Sequence, residues 1–120
     1  MIIGIIPDAS TAEILLNNLS EADFKLKDVS VIMSDQKQRD AIAKDAGPLK
    51  GVQADQIAAR LTGAGLDAQQ AQLYQQAVAQ GKVLVAMKAP AGSEDAAKEM
   101  FGDQSGENVM EVNNVKTKNS

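Results

Sequence analysis

Residues 66–88, LDAQQAQLYQQAVAQGKVLVAMK, show the clearest alternation of apolar and polar positions in the chain. Asp67 and Gln70 have the spacing of a capping box, and the pattern that follows predicts a helix. Its inward positions are Ala71, Tyr74, Ala77 and Val78, and its outward positions are Gln69, Gln72, Gln75, Gln76 and Gln80. Gly81 fits the left-handed residue that ends a helix. The apolar run Val83–Met87 then predicts a buried strand.

Three other segments have the pattern of strands. Ile2–Ile6 is apolar on both faces, which is typical of a strand inside a sheet that is covered on both sides. Asp28–Ser34 alternates between an apolar face and a half-polar face, and Asn108–Val112 is mixed in polarity. These two patterns favour edge strands.

Two helices are predicted beside the strands. The first is Ser10–Leu19, where Ser10 and Glu13 have capping-box spacing and Asp8 is the alternative N-cap. The second is Ser93–Phe101, where Ser93 is the expected N-cap and two acidic residues favour the positive end of the helix. Their expected inward residues are Ala12, Leu15, Leu16 and Leu19 in the first helix, and Ala97, Met100 and Phe101 in the second.

A helical insert is predicted between the second and third strands. Its first helix, Gln36–Ala46, is capped by Asp35, and its second helix is Ala54–Leu61. The expected inward residues are Ala41, Ile42 and Ala46, followed by Ile57, Ala58 and Leu61. The segment GPLKGVQ between the two helices is expected to be a loop.

This order of elements predicts an α+β, ferredoxin-like domain over residues 1–112 with a four-stranded sheet in the order 4-1-3-2. That order places the two fully apolar strands in the centre and gives both crossovers the allowed handedness. A doubly wound sheet is the alternative, but it requires longer strands. The polar segment 113–120 is expected to be a disordered tail.

Composition limits the chemistry that the chain can perform. It has no histidine and no cysteine, which excludes thiol and imidazole catalysis and the usual transition-metal sites. The net charge of −4 without a basic cluster argues against nucleic acid as a partner. No apolar run approaches the ~20 residues of a membrane span, and MIIGIIPDAS does not have the pattern of a signal peptide. We therefore expect a cytoplasmic protein without a metal, a cofactor or a membrane partner.

Three segments carry a resemblance to a known family. ADFKLKDVSVIMS, LTGAGLDAQQAQLYQQAVAQGKVLVAMKA and SEDAAKEMFGDQSGENVMEV resemble the bacterial general-stress and low-temperature-induced family of small ferredoxin-like domains. The pattern is filled by Leu66, Ala71, Tyr74, Val78, Gly81, Leu84 and Val85. The resemblance implies a ferredoxin-like fold and a stress context, and it implies no reaction.

The candidate ligand-binding residues are Tyr74, Lys82 and Lys88, and no residue is a catalytic candidate. The two lysines flank the buried strand, where they could hold an anionic ligand, although solvated strand ends explain them more simply. A packing role likewise explains Tyr74 better than a ligand role. Two weaker patterns have structural explanations: Thr62–Gly65 as a helix end and turn, and the carboxylates of Glu94, Asp95 and Glu99 as partners of a helix dipole.

Two functions follow as expectations. The first is a non-catalytic, stress-associated module that acts through self-association or through a protein partner. The second is a small-molecule-sensing domain with its ligand at a subunit seam or under the helical insert; an enzyme ranks third. The insert offers few large apolar residues (Ile42, Ile57 and Leu61), so we expect it to cover the second sheet face incompletely and a homodimer to complete the cover.

Overall fold

The computed structural model describes residues 1–112, and the predicted disordered tail at 113–120 lies outside the described residues. The strands are β1 (Ile2–Ile6), β2 (Val29–Ile32), β3 (Val83–Met87) and β4 (Glu107–Glu111). The helices are α1 (Ala9–Glu21), α2 (Gln36–Ile42), α3 (Ile57–Gly63), α4 (Ala68–Ala79) and α5 (Glu94–Asp103). Short 3₁₀ turns at Leu26–Asp28 and Ala54–Gln56 precede β2 and α3.

The four strands form one antiparallel sheet in the order β2-β3-β1-β4, which confirms the predicted order 4-1-3-2. In the central pair, Ile5 lies opposite Leu84 and Ile3 lies opposite Ala86. Both strands are buried along their whole length, as expected for strands that are apolar on both faces. The α+β, ferredoxin-like fold with a helical insert between β2 and β3 is therefore the observed architecture.

Helices α1 and α5 cover one face of the sheet. Leu15 and Leu19 of α1 and Phe101 of α5 are fully buried there against Ile2, Ile6 and Val85. Phe101 lies directly on the backbone of Gly4, where an added Cβ atom would come within 2.9 Å of the ring. The expected inward residues of both helices are confirmed, with Met100 only partly buried.

Helices α3 and α4 seal the other face, so the expectation of incomplete cover is wrong. Ile3 and Leu84 are 0% exposed and Ile5 is 3% exposed within a single chain. The expectation counted the large residues of the two shorter insert helices and left out α4, which adds Tyr74 and Val78 to this face. The loop before α3 adds a further large side chain, Leu49, which is 3% exposed. An open sheet face therefore no longer supports the homodimer, which remains a prediction.

Several helix ends differ from the sequence-based expectation. Asp8, the alternative cap, begins α1 because its carboxylate accepts a hydrogen bond from Thr11 N at 2.8 Å. Helix α2 ends at Ile42 rather than Ala46, since the backbone of Ala43 is extended. Its expected inward residue Ala41 is exposed, and the buried residue of α2 is Arg39.

The helix–glycine–strand unit around α4 agrees with its prediction except at Gln70 and Gln75. Gln75 was expected to face outward, but it is half-buried and accepts a hydrogen bond from Ala58 N. Asp67 is the N-cap and accepts a hydrogen bond from Gln69 N at 3.1 Å. The capping-box contact expected from Gln70 is missing, because its side-chain oxygen has no hydrogen-bond partner among residues 1–112. Gly81 has a φ of 99° and follows the C-cap Gln80, which confirms the predicted helix end.

Candidate functional site

A crevice of about 630 Å³ opens at one end of the sheet, between the sheet and the helical insert. We call it the insert crevice. Its lining residues come from the start of β1, from the ends of β3 and β4, from the loop before α3 and from the α3 region. They are Met1, Pro48, Leu49, Ala59, Arg60, Gly63, Ala64, Lys88 and Val112. Its volume lies within the range of ~300–1,000 Å³ that is typical of small-molecule sites.

The floor of the insert crevice is the place where β1 begins and β3 and β4 end. Ile2 lies opposite both Met87 and Glu111, so the residues next to them meet at the same edge. Val112 N donates a hydrogen bond to Met1 O at 2.7 Å, and Lys88 N donates one to Asp28 O at 3.0 Å. The bond to Asp28 O holds the backbone of Lys88 at this edge, and the bond to Met1 O holds the end of β4 beside the start of β1.

One wall of the crevice is the loop that carries Pro48 and Leu49. The buried hydroxyl of Ser30 accepts a hydrogen bond from Leu49 N at 2.8 Å and donates one to Ala46 O. Gly47 lies against the backbone of Ser30 in β2. Its N–H donates a hydrogen bond at 3.1 Å to Lys27 O, in the turn before that strand. The loop is thus fixed to the edge strand β2, with Leu49 buried under it.

The other wall is the outer side of α3. Ile57 and Leu61 are buried toward the sheet, so Ala59, Arg60 and Gly63 lie on the exposed side of this helix. Arg60 Nη2 donates a hydrogen bond to Pro48 O at 3.1 Å across the crevice. The guanidinium group therefore joins the two walls and leaves its other N–H donors for a ligand.

The insert crevice is cationic and otherwise largely apolar. Arg60 and Lys88 are its charged side chains, and no acidic residue from the described part of the chain lines it. Neither cation belongs to an ion pair with a residue in 1–112. A crevice lined by both a guanidinium group and an ammonium group favours a carboxylate or a phosphate, and the aliphatic lining favours an apolar body next to that anion.

The three candidate residues named from the sequence do not come together in one site. Lys88 lies in the insert crevice, whereas Lys82 lies at the opposite end of β3 and pairs with Glu107 at 3.3 Å. Tyr74 is fully buried, and its hydroxyl donates a hydrogen bond to Asn108 O. Burial raises the pKa of the Tyr74 phenol to about 12, so the phenol stays protonated as an internal donor.

Sequence reasoning missed the contribution of Arg60 and of the loop residue Leu49. Arg60 is one polar residue on the outer side of a short helix, and nothing near it in sequence distinguishes it from a solvated arginine. Leu49 offered a signal, since a lone leucine between glycines in the loop GPLKG is an apolar residue that needs cover. Its burial against the sheet would have placed the loop, and with it one wall of the crevice.

The two weaker sequence patterns have structural roles. Thr62–Gly65 ends α3: Ala64 N donates to Arg60 O, and Gly65 has a φ of 103°. Near the start of α5, Glu94 Oε1 accepts a hydrogen bond from Gly92 N at 2.9 Å, and Asp95 pairs with Lys98 at 3.4 Å. Within residues 1–112 no three or more acidic side chains are grouped so that they could hold a metal ion. No helix in this range is both long and apolar enough to cross a membrane.

Comparisons with known proteins do not assign the chain to a family. It matches no protein-family model, no curated protein and no solved structure. The resemblance to the general-stress family therefore remains an expectation from the sequence, and the functional argument rests on the geometry of the insert crevice.

Proposed function

We propose that the chain is a non-catalytic sensing domain that binds a small organic anion in the insert crevice. The observation that carries this proposal is the convergence of Arg60 and Lys88, from two different elements, on one largely aliphatic crevice. The two residues are far apart in the sequence, yet both lie around the same volume without an acidic neighbour among the lining residues. A crevice lined in this way is electrostatically complementary to an anion.

The chemistry of the lining favours binding over catalysis. The lining residues that belong to the described part of the chain carry no carboxylate, hydroxyl or imidazole side chain. A proton acceptor next to Lys88, which nucleophilic or acid–base chemistry would need, is therefore missing from this set. The expected ligand has one carboxylate or phosphate group and a short apolar part that packs on Met1, Pro48 and Ala59, the lining residues with accessible apolar surface.

A bound anion would strengthen the link between the insert and the sheet. Without a ligand, α3 is tied to the loop by the hydrogen bond from Arg60 to Pro48 O. An anion held by both Arg60 and Lys88 would join α3 to the end of β3 as well. The position and the mobility of the insert would then report occupancy, which is what a sensing domain requires.

Binding can be tested by NMR titration of the labelled protein with hexanoate, phenyl phosphate and inorganic phosphate. We expect hexanoate or phenyl phosphate to shift the amide signals of Leu49, Arg60 and Lys88 in a saturable way, and inorganic phosphate to bind more weakly because it lacks the apolar part. Arg60→Gln and Lys88→Gln should each weaken binding by about tenfold, which corresponds to ~1.4 kcal/mol. Lys82→Gln removes a lysine at the other end of β3 and is the matched control.

The proposal is wrong if none of these anions shifts the crevice signals, or if Arg60→Gln and Lys88→Gln bind as well as Lys82→Gln. Thermal unfolding of each variant without ligand shows whether the fold is intact. A non-specific effect of ionic strength would shift the signals of Arg60, Lys82 and Lys88 to a similar extent. Sodium chloride at the same ionic strength would then produce the same shifts as the organic anion.

A further inference from the structure

Among the five α-helices within residues 1–112, α4 is the one without a charged residue. This helix has 12 residues, AQQAQLYQQAVA, and none of them is charged, although 23% of the chain is charged. Surface helices usually carry charged residues on their solvent side. Here that side presents glutamines and one large apolar side chain, Leu73, which is 46% exposed. Depletion of charge together with an exposed large side chain is typical of the centre of an interface.

The same surface contains a shallow depression, and the exposed Leu73 is one of the residues that line it. We call this surface the glutamine face and define it as Ala68, Gln69, Gln72, Leu73 and Gln76, which together line the depression. An exposed leucine at a depression on the same helix allows one helix to pack its side chains into the holes of another.

We propose that the glutamine face binds a second copy of this chain, with the two α4 helices packed antiparallel about a twofold axis. In this arrangement Leu73 of each copy occupies the depression of the other. Each glutamine amide carries both a hydrogen-bond donor and an acceptor. The glutamines of one copy can therefore donate to and accept from the glutamines of the other. With the helices crossing near Leu73, Gln69 of one copy lies opposite Gln76 of the other.

Charge favours a second copy over a charged partner as the occupant. Each chain has a net charge of −4, so two copies repel each other wherever charged surfaces meet. The glutamine face lets them approach without placing like charges in contact. A strongly charged partner would find no complementary charge on this face.

The helix that carries this face is held firmly in place. Tyr74 and Val78 are fully buried on its inner side. Gln75 Oε1 accepts a hydrogen bond from Ala58 N at 2.8 Å, which fixes α4 against α3. Association would therefore use a preformed surface, and little conformational entropy would be lost on binding. A single pair of short helices buries less than the ~1,200–2,000 Å² of a stable interface, so the dimer should depend on protein concentration.

The test is sedimentation velocity of the full chain from micromolar to millimolar concentration. We expect the wild type to shift toward a dimer as concentration rises, and Leu73→Lys to remain a monomer throughout. Ile14→Lys is the matched control, since Ile14 is an exposed aliphatic residue on α1, 50% exposed, and its substitution should leave the dimer unchanged. Circular dichroism of each variant shows that the helices are retained.

A charge-exchange experiment tests the antiparallel arrangement itself. The double variants Gln69→Glu/Gln76→Glu and Gln69→Lys/Gln76→Lys should each stay monomeric, and an equimolar mixture should form the heterodimer. The mixed variant Gln69→Glu/Gln76→Lys should dimerise with itself, because antiparallel helices bring position 69 of one copy to position 76 of the other, whereas parallel helices would bring like charges together. The proposal is overturned if the wild type stays monomeric at all concentrations, if Ile14→Lys and Leu73→Lys weaken association equally, or if the mixture does not associate. No residue of α4 lines the insert crevice, so these outcomes are independent of anion binding.

Discussion

Substitution of Gly47 by alanine tests whether the loop before α3 is held by direct packing on the edge strand. Gly47 has a φ of 79°, and a Cβ atom added there would lie 2.6 Å from Ser30 N, Ser30 Oγ and the carbonyl carbon of Val29. Two of these three atoms belong to the backbone of β2, so they cannot rotate away as a flexible side chain would. The loop must therefore move if Gly47 gains a side chain.

The expected cost has three parts. An L-residue in the left-handed region costs roughly 1–2 kcal/mol. Displacing the loop removes the two hydrogen bonds of Ser30 Oγ, to Ala46 O and from Leu49 N, each worth about 0.5–1.5 kcal/mol. It also exposes part of Leu49, whose complete burial is worth ~1.5–3 kcal/mol. Because these contributions overlap, we expect Gly47→Ala to lower the free energy of unfolding by about 3–6 kcal/mol.

Gly81→Ala is the control for backbone strain alone. Gly81 has a φ of 99° and nothing within 4 Å of an added Cβ atom, so its substitution should cost ~1 kcal/mol. Urea denaturation followed by circular dichroism gives both values from the transition midpoints and slopes. Equal midpoints for the two variants would refute the packing argument. Leu49→Ala, which removes the buried side chain without backbone strain, should fall between them.

Two further predictions concern buried polar side chains. The pKa of the Tyr74 phenol is raised from 10.0 to about 12 in the folded chain, so the unfolded chain loses this proton at a lower pH. The contribution of the buried, protonated phenol to the free energy of unfolding is therefore complete below pH 10.0 and declines as the pH rises toward about 12. Urea midpoints across that pH range should fall more steeply for the wild type than for Tyr74→Phe, and parallel curves would contradict this assignment. Arg39→Ala should lower the free energy of unfolding by about 1–2 kcal/mol, because it removes packed side-chain area and the ion pairs to Asp40 at 2.9 Å and Asp45 at 3.7 Å. Lys44→Ala, at an exposed neighbouring position, should change the urea midpoint little, and an equal loss in both variants would show that Arg39 acts only as a surface residue.

The features that the sequence predicted correctly depend on residues close together along the chain. The end of α4 at Gly81 requires only a helix pattern and a glycine in the following position. The caps Asp35 and Asp67 need a side chain within three residues of the N–H group that they accept from. The strand order also followed from local patterns, since strands that are apolar on both faces are stable only between other strands and under two layers of helices.

The features that the sequence did not reveal depend on contacts between distant residues. Cover of the second sheet face became complete through Leu49 and α4, whose contributions are visible only when the loop and the helix are seen on the same side of the sheet. Lys88 was named from its position beside a buried strand, but its partner Arg60 became apparent only in three dimensions. The sequence separation of Arg60 and Lys88 does not predict that they line the same crevice, because the chain between them passes through α4 and β3 before it returns to the same edge. The candidate site is thus a product of the chain path, whereas the sheet beneath it could be inferred from the order of apolar residues.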